Sequence, residues 1–243
     1  LIEGHEIPEL ALVSVSSGAQ TFIVHPEDVA KFLQIHADAH LVFHNVAFDF
    51  WTLHQHLIQI GARDVADILW TMAADNRLHD TMILDALVRL GRTGESPHPR
   101  ALDVVAEEWA GIEDIDKGDP FRMRYGETIG RPWEDVEGGF FRYAAKDAIA
   151  TMLAFGALLA AARDHSREHA ASMWADAPRR FGPLTEAIQV KGAIALAAVE
   201  RTGMYVDQSA LEELSRRLQE EIAALVVEIE SLPAGRGIFK RDR

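Results

Sequence analysis

Two short apolar, β-branched runs open the chain, Leu10-Ala11-Leu12-Val13-Ser14-Val15 and Thr21-Phe22-Ile23-Val24, separated by Ser16-Ser17-Gly18-Ala19-Gln20. Apolar runs flanking turn-forming residues predict a β-hairpin. His25-Pro26-Glu27-Asp28 then starts a helix to about residue 37, Leu41-Val42-Phe43 reads as a further strand, and helical spacing resumes over 47–60. Strand followed by helix, repeated, predicts an α/β fold. Residues 80–90 and 102–109 read as helices joined by the Gly- and Pro-rich stretch 91–99. A second irregular stretch, 111–139, delivers the chain into a long helix over about 140–163. The uncharged run 148–162 within it falls short of the roughly 20 apolar residues of a membrane span and reads as a buried helix.

Beyond about residue 172 only helical patterns remain. Leu184, Ile188, Ala195 and Val199 mark one helix that ends near Gly203, and Asp207 or Ser209 caps the next. Along that next helix Leu211, Leu214, Leu218, Ile222, Leu225, Ile229 and Leu232 recur at steps of 3 and 4, a narrow apolar stripe of coiled-coil type that Pro233-Ala234-Gly235 stops. Packing of helix against helix accounts for it.

Composition narrows the chemistry. The 243 residues include 24 Lys+Arg, 38 Asp+Glu and 11 His, a formal net charge of −14, and no cysteine. Disulfides, thiolate metal sites and thiol nucleophiles are therefore excluded, and any metal must be held by carboxylate or imidazole. The acidic balance argues against gripping nucleic acid by bulk positive charge, but not against handling it through metal ions. The start Leu1-Ile2-Glu3-Gly4-His5 has no initiator Met and no charged-then-apolar signal pattern. It predicts a beginning inside a longer, cytoplasmic polypeptide with no membrane partner.

Two spacings carry candidate chemistry. Asn45-Val46-Ala47-Phe48-Asp49 lies where a strand gives way to a helix, and the crevice beyond strand ends is where open α/β sheets bind ligands. Asn45 is placed to cap the helix, and Asp49 projects from its first turn. Tyr143-Ala144-Ala145-Lys146-Asp147 again sets a polar group and a carboxylate four apart on one helix face. Either pair alone is equally a helix with a surface acid. Together they suggest carboxylates converging on divalent metal, for which hard oxygen ligands select Mg²⁺ or Mn²⁺.

Asn45-x-x-x-Asp49 followed by Tyr143-x-x-x-Asp147 resembles the second and third motifs of the proofreading 3′–5′ exonuclease domain of family A, polymerase I-like DNA polymerases, within the ribonuclease-H-like four-carboxylate exonucleases. His79-Asp80-Thr81-Met82-Ile83-Leu84 and Leu102-Asp103-Val104-Val105-Ala106 resemble its connecting helices, and Glu200-Arg201-Thr202-Gly203-Met204-Tyr205-Val206-Asp207 with the long helix after it is similar to the start of the polymerase thumb. Arg142 stands where the histidine subclass carries its base, and Tyr143 matches the tyrosine subclass. The resemblance implies a ribonuclease-H-like exonuclease domain over 1–172, a mixed sheet flanked by helices, and the start of a helical thumb over 173–243.

It further implies two-metal hydrolysis of the 3′-terminal phosphodiester of single-stranded DNA, one nucleoside monophosphate at a time. Asp49 and Asp147 would ligate two Mg²⁺ or Mn²⁺ ions, Tyr143 would orient the attacking water, and Asn45 would position the terminal nucleotide or the helix carrying Asp49. The implied partners are a DNA 3′ end or primer-template and the palm and fingers of a bacterial or phage polymerase. One departure stands out: nothing matches the family's first motif, Asp-x-Glu on a central strand, and Glu3 and Glu6 are poor substitutes. The expectation is that this strand lies just upstream of Leu1. Two alternatives stay open, a catalytically degenerate scaffold and a ribonuclease D-like RNA exonuclease.

Two charged clusters offer rival sites. His36, His40, His44, His54 and His56 are crowded in sequence, yet they fall on a helix end, a turn, a strand and the next helix, which predicts surface or satisfied histidines rather than zinc ligands. Arg236, Lys240, Arg241 and Arg243 form a small basic cluster that would either contact phosphate or be solvated.

Overall fold

A computed structural model describes residues 7–94, 98–113, 120–121, 124–168, 180–203 and 205–232. Glu3, Glu6, Pro233 onward and the four basic residues near the C-terminus lie outside them. The chain forms two compact units, Leu1–Arg201 and Thr202–Arg243. The boundary expected at 172/173 also falls outside the described residues.

The first unit is mixed α/β and mostly helical, with four short strands among the described residues. Strands β1 (Val13–Ser16) and β2 (Thr21–Val24) form the predicted antiparallel hairpin, with Val13 opposite Val24 and Ser16 opposite Thr21. A 3₁₀ turn at Pro26–Asp28 leads into α1 (Val29–Ile35), then β3 (Leu41–Phe43) and α2 (Val46–Gln59). Two elements follow that the hydrophobic pattern had not marked, α3 (Arg63–Ala74) and β4 (Leu78–Asp80). β4 pairs in parallel with β3, in the register Leu41–Leu78, Val42–His79 and Phe43–Asp80. Helices α4 (Thr81–Thr93), α5 (Leu102–Ala110) and α6 (Gly138–Glu168) complete the body of the unit.

Two apolar clusters hold these elements. Leu33, Phe50, Leu57, Leu69, Met72 and Leu78 form one core among α1, α2, α3 and β4. Each such fully buried large side chain contributes roughly 1.5–3 kcal/mol. Leu84, Val88, Val105, Ala154, Leu158 and Ala162 join α4, α5 and α6 in the other. The alanines of α6 keep its buried stripe narrow, so neighbouring helices approach closely. α6 is long and apolar enough to cross a membrane by length and composition alone, while this stripe packs inside the unit.

Helix α7 (Glu186–Thr202) was expected to belong to the second domain, but it packs into the first unit through Val190 and Ile194. Trp51 on α2 donates from Nε1 to the Ile194 carbonyl at 3.0 Å, and the Arg201 guanidinium lies 4.5 Å from the Trp51 ring centroid. In the second unit, α8 (Gln208–Ser231) is capped by Asp207, whose side chain accepts from the amides of Ser209 and Ala210. Leu211, Leu214, Leu218, Ile222 and Leu225 of its apolar stripe are exposed.

The sheet is split. Among the described residues β1 pairs only with β2, and β3 only with β4. The second edges of β1 and β3 border one groove of about 1210 Å³: all residues of both strands line it, whereas β2 contributes only Phe22 and β4 nothing. α6 lines it through Tyr143, Asp147 and Thr151, and α1 and α2 through Leu33, Phe48 and Leu53.

Candidate active site

The candidate residues gather in this groove. Asn45, Asp49, Tyr143 and Asp147 all line it. β3 and the start of α2 supply the first pair, and α6 supplies the second. Asp49 sits in the first turn of α2, where the helix dipole favours an acid. It is half-buried, and loss of hydration, with a smaller contribution from the charge of Asp80, pushes its carboxyl up to about 7. Tyr143 is buried, with the Tyr125 ring centroid 6.1 Å away, and Oδ1 of Asp147 is also buried.

Asn45 departs from its expected role. It occupies the N-cap position of α2 in the left-handed conformation (φ 73°, ψ 59°), and its side chain makes no capping hydrogen bond. Asp80, at the end of β4, supplies the acceptor instead, because the parallel register puts it beside Phe43. Its carboxylate accepts from the amides of Asn45 at 3.2 Å and Val46 at 2.7 Å. Burial pushes the Asp80 carboxyl up, and the backbone N–H donors pull against that shift.

Three further residues shape the groove. Phe48, adjacent to Asp49, is 54% exposed and presents an aromatic surface. His44 donates to or accepts from Thr81 Oγ1 at 2.9 Å, and burial pushes its imidazole down from the ordinary histidine value. Asp103 adds a third acid to the lining. Phe48 was legible as the residue before Asp49. Asp103 carried no signal that separated it from an ordinary first-turn acid.

Arg100 lines the groove too, but its charge is engaged elsewhere. It bridges the fully buried Asp85 and Glu108, and Asp85 also receives Arg89 Nε at 3.0 Å and Trp109 Nε1 at 2.9 Å. Burial raises the Asp85 carboxyl, yet the bonds from Arg100 and Trp109 outweigh it and hold the group below the usual carboxylate range. This knot joins α4 to Arg100, just before α5, and to the last turn of α5 through Trp109 and Glu108, and fixes one wall.

The donor set of the groove is hard oxygen. Asp49 and Asp147 suit Mg²⁺ or Mn²⁺ in kind, while among the described residues no three His, Asp or Glu side chains converge as a complete metal site. Of the three acids in the lining, Asp49 and Asp147 are the two at positions that the resemblance matches, where it implies four carboxylates. The histidines spread out: His36 contacts the Phe32 carbonyl, His56 the Pro26 carbonyl, and His40 meets His79 at 2.9 Å. No protein-family model matches the chain, and no curated protein or solved structure matches it.

Proposed function

We propose that the first unit is a metal-dependent 3′–5′ exonuclease of the ribonuclease-H-like type, the proofreading domain of a family A DNA polymerase, and that the second unit begins its thumb. The observation that carries this is the gathering of Asn45, Asp49, Tyr143 and Asp147, from segments about a hundred residues apart, in one groove at the end of a strand. Asp49 and Asp147 would hold divalent cations that polarise the scissile phosphodiester and make a hydroxide-like nucleophile accessible at neutral pH. Tyr143 would orient the attacking water by hydrogen bond. Phe48 offers a stacking surface to the terminal base, which every base accepts through its π-face.

The free edges of β1 and β3 support the same assignment. A strand set between them would pair backbone groups of β1 and β3 that have no strand partner among the described residues. In our proposal that strand brings the Asp-x-Glu pair and completes the four-carboxylate set.

The test uses the full-length polypeptide and 3′-labelled single strands of DNA and RNA. The expected result is stepwise release of deoxynucleoside monophosphates with Mg²⁺, none with chelator, and slower attack on RNA. Faster attack on RNA would assign a ribonuclease D-like activity instead, and no metal-dependent release from either strand would leave a scaffold.

A further inference from the structure

We infer that Asp80 is a positioning residue for the candidate site: from the end of β4 it fastens the start of α2 and so sets where Asp49 stands. The consequence for metal binding rests on the exonuclease proposal; the fastening itself does not. Asp80 is 1% exposed and serves two helices at once. Its Oδ1 caps α4 locally, accepting from Met82 N at 2.8 Å and Ile83 N at 3.3 Å, and also takes Asn45 N at 3.2 Å. Its Oδ2 accepts the shortest of the four bonds, from Val46 N at 2.7 Å, across 34 residues of sequence.

Local capping needs only one oxygen, and Ser or Asn supplies it as well as Asp. The second oxygen is therefore spent on α2, whose first amides otherwise lack an intrahelical acceptor. One of those amides belongs to Asn45, a residue in a costly state, because left-handed backbone is disfavoured for side chains with a Cβ, Asn least among them. Asp80 rewards that state with hydrogen bonds to Asn45 and Val46. Asp49 lies one turn further along the same helix.

Asp80 is itself braced. The buried carboxylate of Glu186, at the start of α7, accepts from the Asp80 amide at 3.2 Å and from His79 Nδ1 at 3.0 Å. The end of β4 is thus fixed from one side by Glu186 and passes that position to α2 on the other.

The distinguishing variant is Asp80→Ser, since a single short hydroxyl still caps α4 but does not reach Asn45 and Val46. In the full-length protein, amide exchange at Asn45 and Val46 is expected to accelerate about tenfold while Met82 and Ile83 keep their protection. Mn²⁺ affinity, read by paramagnetic relaxation of water, should fall about tenfold, the usual scale for loss of a supporting hydrogen bond around a metal site. Adding Asn45→Gly to Asp80→Ser should recover most of it, because glycine takes the left-handed conformation without steric penalty.

Unchanged exchange at Asn45 and Val46, or failure of the glycine rescue with the fold intact, would overturn the assignment. If Asp80→Ser does not fold, Asp80→Asn gives the same comparison with less loss of volume. If the unaltered protein binds no Mn²⁺, the metal proposal fails on its own, and the exchange at Asn45 and Val46 still decides the role of Asp80.

Discussion

Burial and, to a smaller extent, the charge of Asp80 oppose ionisation of Asp49 and push its carboxyl up to about 7. A cation reverses that balance: it binds only the carboxylate and releases a proton in doing so. Mg²⁺ or Mn²⁺ affinity should accordingly tighten as pH rises through 7, and Asp49→Asn should flatten that dependence in a Mn²⁺ titration. For the metal-free protein the sign is the opposite. The folded state holds the Asp49 proton at pH values where the unfolded chain has lost it, so this group's contribution to stability is full below about 4 and is lost as pH rises toward 7. Urea midpoints measured from pH 4 to 7.5 should show that decline in the unaltered protein and a shallower one in Asp49→Asn. Tyr143 has a different character, supplying one orienting bond and no charge. Tyr143→Phe should slow trimming by about tenfold or less, the worth of one hydrogen bond, and a loss as large as that of a metal ligand would show that its role is misassigned.

Elements decide how much of this was visible beforehand. β3, the start of α2 and the Tyr143–Asp147 face of α6 were legible because each follows from short-range pattern: a β-branched triplet, a polar residue four before an acid, and a run of small residues on a helix. α3 was legible in principle, since Val65, Ala66, Leu69, Met72 and Ala73 recur on one helical face and are the residues it buries. β4 was not, because Leu-His-Asp has neither length nor alternation and becomes a strand only by pairing with β3. With β4 hidden, the fastening of α2 by Asp80 was hidden too, and the capping role fell to Asn45 by default. The α4–α5 wall likewise rests on a contact between distant residues. Asp85→Ala leaves Arg89, Arg100 and Trp109 without their shared acceptor, and breaking such a buried ionic knot from one side costs roughly 3–5 kcal/mol. Denaturant unfolding of that variant measures it, and a loss below about 1 kcal/mol would show the knot to be incidental.

At the scale of the molecule, the formal charge of −14 and the groove belong to one description. A net charge this negative disfavours direct contact with a phosphate backbone, so under the proposed function contact with a DNA end would pass through cations held by carboxylates. The groove's position was outside the reach of sequence patterns, because it is lined by strands of two separate two-stranded sheets together with distant helices. The groove of about 1210 Å³ exceeds the roughly 300–1,000 Å³ typical of small-molecule sites. The most direct measurement of the central claim is the single-turnover rate at which the full-length protein trims a 3′-labelled DNA strand in Mg²⁺, compared with Asp147→Ala. Metal ligation stabilises such a transition state by several kcal/mol, so the variant should be slower by at least about 100-fold with an unchanged fold. A variant that trims at the unaltered rate would contradict the placement of the metal site in this groove.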